Sequence, residues 1–164
     1  MPISRRELLA TAAATSLTSL PVLSIAQDKP VPPPLNPDLV RDFVIAAHKS
    51  LDAVKPLLEE TPALLNATID WRAGDFESAI GGAGHMGHRD IAQFLIEKGA
   101  RTDLFVHTML GHTDVVRPML TRYPQMVECK GPHGISLARH AEAGGEPAKE
   151  LLDFIKSLIR SAKL

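Results

Sequence analysis

Two stretches of this 164-residue chain align without a gap at a separation of 62 residues. They are FVIAAHKSLDAVKPLLEETPALLNA (43–67) and FVHTMLGHTDVVRPMLTRYPQMVEC (105–129). Phe43 matches Phe105, Asp52 matches Asp114, Val54 matches Val116, KPLL faces RPML, and Pro62 falls on Pro124. The segments in between also correspond: SAIGGAGHMGHRDIAQFLIEKGA (78–100) parallels SLARHAEAGGEPAKELLDFIKSL (136–158), with Ser78 on Ser136 and Ala83 on Ala141. A pair of units therefore occurs twice, giving four units of roughly 30 residues each. A unit this small cannot bury its apolar face alone, so the chain is constrained to fold by stacking its copies.

Each unit reads as a helical hairpin. A short helix of small residues (Ala46-Ala47; Ile80 to Ala83) is followed by a turn, and then by a helix with apolar residues at 3–4 spacing, such as Ile91, Phe94 and Leu95. Asp52, Asp90 and Asp114 sit where an acidic side chain favours the positive end of the second helix. Pro56 and Pro118 fall about one turn into it, and Gly99 provides its stop.

The segment ESAIGGAGHMGHRDIAQFLIEKGA carries two alanines, Gly-His, paired apolar residues and a closing Gly-Ala, and MLGHTDVVRPML shows the Gly-His and the paired apolar residues again. In this the chain resembles the ankyrin repeat family over about residues 39–160. The departures are Ser78-Ala79-Ile80-Gly81 in place of Thr-Pro-Leu-His, Lys49-Ser50 in place of Gly-His, and a third repeat without most of its leading hairpin. The resemblance implies an all-α fold, an ankyrin-like solenoid of about four stacked helix-turn-helix repeats. It also implies structural roles for Gly87, His88, Gly111 and His112, where the family's Gly-His imidazole closes the inter-helix turn.

Three segments are expected: an export signal at 1–26, a proline-rich linker at 27–38 and the repeat domain at 39–162. The signal begins with Arg5-Arg6 in SRRELL, similar to a twin-arginine motif, and reaches Ser24-Ile25-Ala26, which suits cleavage before Gln27. Thr, Ser and Pro21 interrupt its apolar run, so no stable membrane span is expected once it is removed. The expected location is periplasmic or secreted. QDKPVPPPLNPD (27–38) has five prolines and reads as an extended tether. A net charge of −1 and 4% aromatic residues give no electrostatic or stacking basis for nucleic-acid binding. The protein is expected to be monomeric.

No catalytic constellation is legible, and neither a cofactor nor a metal is assigned. His85 and His88 lie three apart, but the Gly-His reading takes His88 into the fold and leaves His85 alone, without a nearby Cys or acidic ligand in sequence. Cys129, the single cysteine, matches Ala67 and reads as buried filler. The irregular stretch TIDWRAGDFES (68–78) has about four residues more than its counterpart KGPHGIS (130–136) and holds the only Trp. Trp71, Arg72, Asp75, Phe76 and Glu77, with His133 from the second loop, are the expected contacts to an unidentified protein partner, because Trp and Arg are enriched at binding hot spots. The alternative is a small-ligand or metal-binding module assembled from His85, His107, His133 and His140.

Overall fold

Asn36 starts the first helix: its side chain accepts the Asp38 N–H, and Pro37 occupies the first turn, where no donor is needed. The computed structural model describes residues 31–161. The export segment and the first residues of the linker lie outside that range. Helix α1 spans Pro37–Ala47, so the linker ends before Pro37 rather than at Asp38.

Four helix pairs follow: α1 with α2 (Leu51–Glu60), α3 (Ala79–Met86) with α4 (Arg89–Glu97), α5 (Leu104–Met109) with α6 (Thr113–Arg122), and α7 (Leu137–Ala143) with α8 (Lys149–Ser161). The fold is predominantly helical. Ser50, Ser78, Asp103 and Ser136 cap α2, α3, α5 and α7 through side-chain oxygens, and Asp52, Asp90 and Asp114 lie in the first turns of α2, α4 and α6. The repeat survives in three dimensions. Helices α2 and α6 begin and end 62 residues apart, as do the 3-10 turns Pro62–Asn66 and Pro124–Glu128.

The 68–78 stretch is a β-hairpin. Strands β1 (Thr68–Asp70) and β2 (Phe76–Ser78) pair antiparallel, Ile69 opposite Glu77. Its counterpart is a single bridge, Lys130 to Ser136, at the position equivalent to Thr68–Ser78. The two half-repeats thus begin this connection alike, and the extra residues of the first become the hairpin tip.

Helices α1, α3, α5 and α7 pack in sequence order, each also against its own partner. Helix α5 has only 6 residues, about 9 Å of length, and α7 also touches α3 beside it. The small residues of α3 suit this crowding: Ala79, Gly81, Gly82, Ala83 and Gly84 are all buried. Apolar burial falls into two clusters, one around Phe43, Leu64, Ile91, Leu95 and Met109, the other around Leu120, Leu137, Leu151 and Ile155. Cys129 is exposed, not buried filler: it follows the 3-10 turn whose Val127 takes the inward position.

Candidate metal centre

The end of α1, strand β2, the last turn of α3 and the loop before α7 converge on one point. His48 follows α1 and donates its Nδ1–H to the Val44 carbonyl at 2.8 Å, which leaves the Nε2 lone pair facing away from the helix. Its ring lies so close to α3 that a Cβ on Gly82 would fall 2.5 Å from His48 Cε1. On β2 the alternation of a strand sends Phe76 outward, 61% exposed, and Glu77 inward, 1% exposed. His85, in the last turn of α3, places Nδ1 3.2 Å from Glu77 Oε1, and His48 Nε2 lies 3.4 Å from the same oxygen.

His133 is held by Asp75. One carboxylate oxygen accepts the His133 backbone N–H at 2.8 Å and the other accepts its ring Nδ1–H at 2.9 Å. This double clamp goes with a left-handed backbone at His133, φ +58°, a conformation that costs a non-glycine residue about 1 kcal/mol or more. The strain turns Nε2 to within 3.3 Å of Glu77 Oε2. Trp71 completes the surroundings, its indole N–H donating to Glu77 Oε2 at 2.6 Å.

One ligand-capable atom each from His48, Glu77, His85 and His133 therefore lies within 4.8 Å of all the others. Glu77 Oε1 and His85 Nδ1 are buried and, among the described residues, hydrogen-bond to nothing. A fourth imidazole stands behind: His140, 1% exposed, donates Nδ1–H to the Ser136 carbonyl at 2.9 Å and meets the His85 ring edge-on at 6.4 Å between centroids.

The electrostatics follow from this crowding. Burial alone would push the Glu77 carboxyl up, but the His48 imidazole and the Trp71 indole hold it below the usual carboxylate value, so it is an anion. His48 is raised, first by its contact with Glu77 and against its own burial. His85 is pushed down to about 4, by burial first and then, against the pull of Glu77, by the imidazoles of His48, His133 and His140. His140 is also lowered by burial. The centre is a buried carboxylate ringed by imidazoles, and at neutral pH His85 is uncharged.

Of the residues expected from sequence, Glu77, Asp75, Trp71 and His133 come together here. Arg72 stays exposed at the hairpin tip and Phe76 points away. His85 is not alone, since the hairpin delivers an acidic ligand to it. His107 is elsewhere: Nδ1 meets His112 Nδ1 at 2.9 Å and Nε2 meets Thr102 Oγ1 at 2.9 Å. His88 donates its Nε2–H across repeats to the His48 carbonyl at 3.1 Å, while Gly87 and Gly111 adopt φ +77° and +71° at their turns. The residue missed from sequence is His48. Its signal was available, because His48 and His85 are 37 residues apart, close to one repeat, which puts them on neighbouring hairpins.

A comparison of the chain with protein families and with curated proteins finds no match.

Proposed function

We propose that this chain is an exported, ankyrin-like helical-repeat protein that binds one divalent transition-metal ion through His48, Glu77, His85 and His133. The observation that carries this reading is the direction of the ring nitrogens. His48 and His133 each spend Nδ1–H on an outer acceptor, Val44 O and Asp75, while Nε2 faces the buried carboxylate. Metal-binding imidazoles are oriented by such outer hydrogen bonds, which fix the tautomer and raise the basicity of the ligating nitrogen. Without a cation, lone pairs converge on an anion, and the contact with Glu77 favours the protonated form of His48. Three imidazoles and one carboxylate suit zinc, copper, nickel, cobalt or iron over magnesium or calcium. The twin-arginine-like start of the chain supports export, and recovery of a product beginning at Gln27 from the cell envelope checks that part.

Titration of the metal-free protein with Co(II), followed by the visible bands of the bound ion, tests the centre. One equivalent taken up by wild type and lost in Glu77→Gln and His85→Ala is the expected result. No uptake by folded wild type overturns the reading.

A second reading, docking of a protein partner at the hairpin tip, is favoured by one observation: Phe76 and Arg72 are exposed beside the centre. Phe76→Asp then weakens crosslinking to that partner and leaves metal uptake unchanged. Equal crosslinking by wild type and variant argues against it.

A further inference from the structure

The centre described above does not use His140. Its Nδ1–H is committed to the Ser136 carbonyl, so its Nε2 is a hydrogen-bond acceptor, buried and without a donor among the described residues. A buried acceptor left unpaired is destabilising, because it has given up its hydrogen bond to water. His140 is also outside the group of four convergent ligand atoms, although its ring stands beside His85. It is placed to meet something held by the ion rather than the ion itself.

Two further observations bear on what that is. The ligand set is lopsided: the Glu77 and His85 side chains are 0% and 7% exposed, whereas His48 and His133 are 21% and 37% exposed. With Oε2 taken by Trp71, Glu77 offers the ion Oε1 only. The protein thus surrounds an ion from one side with four single-atom ligands. Secondly, a cleft of about 350 Å³ adjoins the centre, lined by Asp75, Gly81, Phe105, Gly131 and Pro132 among others. Asp75 is the residue that clamps His133, and a Cβ on Gly131 would lie 3.2 Å from His140 Cε1, so the cleft is walled by immediate neighbours of both histidines.

We propose that the ion at this centre keeps one coordination position for an exchangeable small ligand, water in the resting protein, whose O–H donates a hydrogen bond to His140 Nε2. The proposal rests on the metal reading above. A bound ion polarises water, making it a strong donor, and a buried imidazole lone pair is a matching acceptor. The same lone pair disfavours an aprotic anion at that position. His140 therefore selects protic oxygen ligands over small aprotic anions.

The test uses the Co(II)-loaded full chain titrated with azide, with His140→Phe as the variant. The expected result has three parts: azide shifts the visible bands of wild type, His140→Phe still takes up one Co(II) with unchanged helical circular dichroism, and it binds azide about tenfold more tightly, the worth of one hydrogen bond. Should His140→Phe lose its helical signal, His140→Leu takes its place in the same titration. Co(II) bound but bands unmoved by azide mean a closed centre, which overturns this proposal and leaves the metal reading standing. Equal azide affinity in wild type and variant overturns the role of His140. No Co(II) uptake by wild type removes the metal reading, and this proposal with it.

Discussion

Two groups of histidines sit at neighbouring turns of this repeat, and their chemistry differs. His107 and His112 lie with Thr102, and both ring nitrogens of His107 are used within that group. Burial, then the adjacent His112, hold His107 below its usual pKa, a neutral ring in a closed hydrogen-bond chain. His48, His85 and His133 instead aim nitrogens at a buried carboxylate that they do not satisfy. Residue type is the same in both groups. What separates them is the placing of the acid: the hairpin at 68–78 brings Glu77 and Asp75 within contact of one group, whereas Asp103, in the turn before α5, spends its carboxylate on the Val106 N–H and acts on His107 only at a distance.

The sharpest way to break this comparison is to remove the acid or its first imidazole. Glu77→Gln and His85→Ala are each expected to weaken Co(II) or Zn(II) binding by more than about 100-fold, beyond the 10- to 100-fold typical of an outer-shell change. Isothermal titration calorimetry measures this, with retained helicity as the control. Gly82→Ala ranks next. The added methyl would collide with the His48 ring at 2.5 Å, so His48 has to leave its place. The expected loss is again about 100-fold in metal affinity, from a substitution that touches no ligand atom. Affinity unchanged in Gly82→Ala would show that His48 is dispensable.

Asp75→Asn sharpens the comparison further along the same contact. The amide can hold the His133 backbone N–H or its ring, but not both with full charge, and a drop of about tenfold in metal affinity is expected. Because Asp75 also supports the left-handed backbone at His133, Asp75→Ala is expected to cost more than Asp75→Asn.

Much of the scaffold was legible in the sequence, because the 62-residue repeat fixes element boundaries through the same caps and prolines twice over. The matched Ser78 and Ser136 both cap the helices they precede, and the two 3-10 turns begin at the matched Pro62 and Pro124. The centre was legible only in its parts. Trp71, Asp75, Glu77 and His133 stood out as a loop rich in chemistry, but a loop with an aromatic and charges reads as an exposed contact surface. Its inward side depends on strand register: a shift of one residue would bury Phe76 and expose Glu77. The approach of α7 to α3, which brings His133 and His140 beside His85, belongs to packing. No local pattern in 128–140 reports it.

Acidity gives the smallest effect, and it separates the two states of the centre. In the metal-free protein His85 has its pKa lowered from near 6.5 to about 4, so the folded state favours the neutral ring. A lowered pKa contributes stability that is present above 6.5 and is lost as pH falls toward 4. Glu77, also lowered, adds loss at the acidic end of that range, while His48, raised, acts in the opposite sense and favours the fold below its unfolded value. The metal-free protein is therefore expected to lose thermal stability between pH 6.5 and pH 4, and less so as His85→Gln, which has no proton to gain. Metal binding adds a second signature. His48 must surrender its proton to ligate, whereas His85 is already neutral, so His48 releases one proton on uptake, His85 releases none, and affinity falls about tenfold per pH unit below the His48 pKa. Calorimetry in buffers of different ionisation enthalpy counts that proton. Removal of the His48 proton from the count in His48→Ala, with His85→Gln leaving it unchanged, is the expected pattern.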